Sequence, residues 1–172
     1  MHKTHRPLTN NGFTLLELLV VLVIVGILFS FAALSLSARP DPTKQEAYQV
    51  QQLLKLALDD AILRGQIMGW TLILTKQEHN FSRFKNQTWS LLKKDNLLRN
   101  YKLNPELEYH LEIDGLPAVT LASTLPQVIF YPDATLSNFE LTVQLKNTFN
   151  EGYKIYSEQN EIKLISLTPD SL

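Results

Sequence analysis

Apolar residues crowd towards one end of this chain. Residues 13–36 read FTLLELLVVLVIVGILFSFAALSL, with Glu17 the single ionisable side chain in the run. At about 1.5 Å rise per residue a helix of that length exceeds a hydrocarbon core of roughly 30 Å, so the run predicts a membrane-spanning helix. Beyond it, Pro40 and Pro42 each remove a backbone donor and crowd the preceding turn, which predicts a kink or break. Residues 44–64 then place Ala47, Val50, Leu54, Ala57, Leu58 and Ala61 at helical spacing, one apolar face opposite Gln45, Gln49, Gln52, Lys55 and Asp59. Thr43-Lys44-Gln45-Glu46 has the form of a capping box at the start of this helix, and Gly65 is a natural stop.

After Gly69 the period shortens from helix to strand. Residues 70–75 are rich in β-formers, 80–85 and 88–92 can pair across Asn86-Gln87, and 106–113 alternate strictly, with Leu107, Tyr109, Leu111 and Ile113 facing inward. Segments 127–131, 139–145, 153–157 and 161–167 complete about eight short strands, separated by turn residues such as Pro132-Asp133, Glu151-Gly152 and Gln159-Asn160. A helix followed by antiparallel strands is an α+β arrangement: a long N-terminal helix, membrane half then amphipathic half, packed on a β head of two small sheets.

The 172 residues suit one domain with appendages. A net charge of −1 offers no basic field for a phosphate backbone, so no nucleic acid partner is expected. There is no cysteine, so neither disulfides nor thiolate metal sites enter the picture. The segment ahead of the apolar run carries Lys3 and Arg6 without an acidic residue, which orients it towards the cytoplasm and the head towards the outside. The run is too long for the h-region of a cleaved secretory signal, and a plain signal anchor gives no reason for Glu17, since a charge in hydrocarbon is costly without a partner. Thr14 and Glu17 also have capping-box spacing, which accounts for them without a special role.

Gly12-Phe13-Thr14-Leu15-Leu16-Glu17, followed by an unbroken apolar tract and preceded by a short basic leader, resembles the class III signal of type IV pilins and type II secretion pseudopilins. The resemblance implies cleavage after Gly12 by a prepilin peptidase, N-methylation of Phe13, and an assembly role for Glu17, whose carboxylate would pair with the amine of Phe13 in a neighbouring subunit. It divides the chain into a leader, 1–12, a transmembrane and polymerisation helix, 13–36, a kink and amphipathic helix, 37–64, and a β head, 65–172. Within that family, Val128-Ile129-Phe130-Tyr131-Pro132-Asp133-Ala134-Thr135 ahead of Phe139-Glu140-Leu141-Thr142-Val143 is similar to the late strands of H-type minor pseudopilins, with Ala134 where glycine is common. The implied partners are other major and minor pseudopilins, the peptidase, the inner-membrane assembly platform and secreted exoproteins. The implied location is the bacterial inner membrane, single-pass, with a periplasmic head.

Two other functions share parts of this pattern. A minor pilin of a type IV pilus or DNA-uptake machine has the same N-terminal features, and a membrane-anchored periplasmic enzyme would need a cleft with convergent polar groups. No nucleophile elbow, zinc-helix motif or phosphate loop is present, so no catalytic residue, metal or cofactor is expected. The best candidate constellation is Glu108, His110 and Glu112 on one face of a strand, where they read as a solvated face. His79 reads as a lone exposed histidine, and His2 and His5 belong to the leader.

Overall fold

The computed structural model describes residues 14–36, 41–118, 125–148 and 151–167. Gly12, Phe13 and most of the expected break at residues 38–42 lie outside them. The chain divides into two compact units, residues 1–40 and 41–172.

In the first unit, Leu15–Leu36 form helix α1. The Thr14 hydroxyl accepts from the amide of Glu17 at 3.3 Å, which supplies half of the capping box foreseen there.

In the second unit helix α2, Pro42–Arg64, begins two residues earlier than the expected capping box implies. Asp41 is the cap: its Oδ1 accepts from the Thr43 amide at 2.9 Å, and Pro42 fills the first helical position, where the missing N–H costs nothing. Asp41-Pro42 therefore displaces Thr43 as the start signal, and Thr43 is buried in the first turn. The helix ends as foreseen at Gly65, whose φ of 62° is left-handed, with the Gln66 amide reaching back to the Ala61 carbonyl at 3.1 Å. Ala47, Val50, Leu53, Leu54, Ala57 and Ala61 are buried along one face.

Among the described residues ten strands follow: β1 Met68–Ile73, β2 Glu78–Lys85, β3 Thr88–Leu91, β4 Tyr101–Lys102, β5 Leu107–Ile113, β6 Leu116–Pro117, β7 Val128–Phe130, β8 Phe139–Leu145, β9 Gly152–Glu158 and β10 Glu161–Leu167. They form two antiparallel sheets, ordered β3-β2-β1-β7 with β4 also on β2, and β10-β9-β8-β5-β6. Helix α2 packs against strands of both, and its apolar face meets Trp70, Leu72, Phe81, Phe130, Leu141 and Ile155 in one core. Two-residue turns at Asn86-Gln87, Asp114-Gly115 and Gln159-Asn160 hold both residues at positive φ, the geometry that matches the twist of the strands they join.

Two departures from the expected strands have local causes. β1 stops at Ile73 because Leu74–Lys76 coil into a 3-10 turn closed by Gln77 at φ 50°, which brings β2 back from Glu78 onward. Strands β4 and β6 are two residues each, too short to carry a period.

Candidate functional site

The sequence places its strongest candidate chemistry on α1. Glu17 lies in the first turn, exposed, and every described side chain from residue 14 to residue 30 is exposed as well. Leu15 is 86% exposed and Phe29 71%, so apolar surface surrounds the helix on every side and nothing in its own unit covers it. Of the other polar side chains there, Thr14 accepts from the Glu17 amide at 3.3 Å, and Ser30 donates to the Gly26 carbonyl at 2.9 Å and so hides its hydroxyl. Glu17 is the only ionisable side chain on α1. Over the described residues, no helix is long and apolar enough to cross a membrane. Gly12 and Phe13 cannot be placed beside it, being outside the described residues.

The head offers no comparable centre. Glu108, His110 and Glu112 stand on the exposed side of β5, while Leu107, Tyr109 and Leu111 are buried on the other, as the alternation requires. His110 Nε2 lies 3.5 Å from Glu108 Oε1. Among the described residues no group of three or more His, Asp or Glu side chains could hold a metal ion.

His79 is not the exposed histidine expected from sequence. It is 2% exposed and accepts at Nδ1 from the indole N–H of Trp70 at 2.9 Å. It also stacks on Tyr101 with ring centroids 5.4 Å apart. Register explains the error: His79 pairs with Leu72 and lies two residues from Phe81, so it shares the core face of β2. His79 lay one residue ahead of the expected strand 80–85, whereas β2 begins at Glu78, and Glu78 and Asn80 occupy the opposite face. Burial lowers the His79 pKa to about 4, so the ring is neutral near neutrality, with Nδ1 free to accept.

Three further polar contacts fasten α2 to the sheets, and none was foreseen. Glu46, released from the capping box, accepts from the Tyr109 hydroxyl at 2.9 Å, and the Tyr109 hydroxyl oxygen in turn accepts from the Asn104 amide at 3.1 Å. Burial, then the nearby Glu46 carboxylate, pushes the Tyr109 phenol upward, so it stays a donor. Gln51, buried within the apolar face, donates to the Ile162 carbonyl at 3.1 Å. Asp60 joins Arg64 on its own helix, at 2.6 Å, to Arg83 on β2, at 2.8 Å.

A helix apolar all round, and in a second unit an amphipathic helix buttressing two small antiparallel sheets, define the pilin-like class. Residues 46–159 match the family described as type II transport protein GspH, and residues 8–33 match the prokaryotic N-terminal methylation motif. The chain belongs to the type II transport protein GspH family, as a minor pseudopilin of the type II secretion system. The type II secretion system protein H of Aeromonas hydrophila is 26% identical over 150 residues, which cover 77% of this chain and 80% of that protein. The protein of the same name from Pseudomonas aeruginosa is 27% identical over 146 residues, 77% of this chain and 81% of its own. In fold, the chain is similar to the minor pseudopilin EpsH from the type 2 secretion system of Vibrio cholerae, with a TM-score of 0.66 and 19% identity over 76% of this chain and all of that one. The solution structure of GspH from E. coli gives a TM-score of 0.57 at 19% identity, over 72% of this chain and 87% of that one. The methylation motif and the family together make this an envelope-anchored, pilin-like protein.

Proposed function

We propose that this chain is made as a prepilin and works by assembly, not catalysis. A prepilin peptidase cuts after Gly12, removing residues 1–12, and Phe13 becomes the methylated N-terminus. Residues 13–36 span the inner membrane and pack into the core of a pseudopilus. Residues 37–64 lead into the head, which stands in the periplasm and meets other major and minor pseudopilins at the tip or in the initiating complex. The assembly platform and the exported proteins are its further partners.

The observation that carries this reading is the lone carboxylate of Glu17 on a helix otherwise clad in apolar side chains. A carboxylate near the centre of a bilayer costs on the order of 2.5 kcal/mol or more, and less towards the interface, unless a positive group meets it. The new amine of Phe13 is such a group. Within one subunit the amine lies about one helical turn away, and in a neighbour staggered along the filament it can lie alongside. Pairing between subunits then offsets the burial of both charges and fixes the stagger at which helices stack.

Replacing Glu17 by Ala leaves processing intact and lowers co-purification of this chain with the other pseudopilins from detergent-solubilised membranes by roughly tenfold, the equivalent of about 1.4 kcal/mol of lost pairing. Co-purification at the wild-type level would remove the pairing role.

A further inference from the structure

A sheet edge presents backbone N–H and C=O groups without partners, and folded proteins usually shorten or cover it. Most edges of this head follow that rule. Strands β3, β4, β6 and β7 have four residues or fewer, and β6 ends on Pro117. Along β7, Ile129 gives its N–H to the Ser137 hydroxyl at 3.0 Å, and its carbonyl accepts from the Ser137 amide at 2.9 Å. Where β1 runs past β7, the Gln127 carboxamide takes both backbone groups of Leu72, at 2.7 and 3.1 Å. β10 departs from the rule: it closes the second sheet with seven residues, Glu161–Leu167, and no proline.

The open groups on β10 can be assigned. The two-residue turn at Gln159-Asn160 makes Glu158 and Glu161 a hydrogen-bonded pair, so Glu161, Lys163, Ile165 and Leu167 bond inward to β9, while Ile162, Leu164 and Ser166 point outward. Gln51 fixes the same phase by donating to the Ile162 carbonyl at 3.1 Å. Among the described residues nothing bonds the backbone of Leu164 or Ser166 on that side. Beside them a groove of about 590 Å³ runs between the strand and Lys55, Leu58 and Asp59 of α2, and Ile165 is 44% exposed on the other face of the strand.

We propose that β10 pairs antiparallel with β10 of a second copy of this chain, about a twofold axis through Leu164, a contact separate from the assembly helix. Only an extended backbone offers N–H and C=O groups at the spacing of Ile162, Leu164 and Ser166. The order of residues along the strand selects its own copy. Centred on Leu164, the register sets Ile162 against Ser166 and Leu164 against its mate, so every outward residue is used. It also sets Lys163 against Ile165 and Glu161 against Leu167, so no like charges face each other. A shift of the axis by one residue either way leaves one of the three outward residues without a counterpart, and one of those shifts opposes Lys163 to itself. Ile165 and its mate lie diagonally across the axis, which covers exposed apolar surface, and the two Leu164 side chains meet beside the groove.

The chain has no cysteine, so a single one reports the contact. Ile165→Cys in the full chain, held in detergent micelles and treated with a short bis-maleimide, gives a covalent dimer with half-saturation at about 10–100 μM. That weak range suits an interface below the roughly 1,200 Å² of a standard one. Ser90→Cys, exposed on β3, controls for contacts made by α1 and stays monomeric. Ser166→Pro, added to Ile165→Cys, removes an outward N–H that β9 does not use, so the melting temperature is kept and the dimer yield falls roughly tenfold. Ile165→Lys, followed by sedimentation, changes only an exposed side chain and so tests the contact without touching the backbone. It gathers two lysines from each copy on one face and weakens self-association roughly tenfold at low salt. No dimer from Ile165→Cys, equal yield from Ser90→Cys, an unchanged yield in a folded Ser166→Pro, or unchanged association in Ile165→Lys would each overturn the proposal.

Discussion

The Trp70–His79 pair commits an imidazole to one protonation state. With Nδ1 accepting from the indole, a proton added there would set two donors against each other in a buried site. The pKa of about 4 lies below the ordinary histidine value of 6.5, so the unfolded chain binds this proton more readily than the folded one. The neutral ring therefore contributes its full stability above pH 6.5, and the contribution is lost as pH falls from 6.5 towards 4. The size of the effect is about 3 kcal/mol. His79→Gln, which keeps an acceptor for Trp70 and does not titrate, flattens the melting temperature between pH 6.5 and pH 4, while the wild type falls steadily. An equal fall in both would place the titration elsewhere. At the same scale, Ala134 holds φ at 68°, a left-handed conformation that glycine adopts without strain and an L side chain adopts at a cost. The departure noticed in the sequence thus falls on a residue whose backbone favours glycine.

Among the elements, α2 has the most consequences, because its side chains reach both sheets. Its start rests on Asp41 rather than on the capping box that its sequence displays. Asp41→Ala strips the acceptor from the Thr43 amide and lowers head stability by about 1 kcal/mol in urea unfolding, whereas Glu46→Ala acts through Tyr109 and not through the helix end. If Asp41→Ala leaves the midpoint unchanged, the cap is not contributing. This element also shows what the sequence can and cannot carry. The helical spacing of Ala47, Val50, Leu54 and Ala57 and the alternation of β5 were legible because one face of each is dry. β1 is buried on both faces, so it shows no alternation, and its true start at Met68 was missed. Gln51 broke the apolar stripe for a reason that lies 111 residues away, at the Ile162 carbonyl.

For the whole molecule, the family and the fold were readable from the N-terminal pattern and from the strand segments around residues 128–143, because those signals are local. The interior place of His79 and the Asp60 bridge were not, since each depends on segments that meet only after folding. The proposed leader is the remaining whole-chain feature. Gly12 suits a cut site because a residue without a Cβ lets the backbone come close to the peptidase and stay extended before a helix begins. Gly12→Leu is expected to leave the precursor uncut, visible as a slower gel band and as residues 1–12 retained in the intact mass. Normal cleavage of that variant would move the cut elsewhere.

The cap at Asp41 has a practical corollary for anyone wishing to express the head unit by itself. A truncated gene whose first codon after the initiator is Asp41 would deliver a fragment equipped with its own start signal and free of the greasy tract. Shifting that boundary only three codons downstream, to Lys44, would discard aspartate and proline together and leave the opening amides bare.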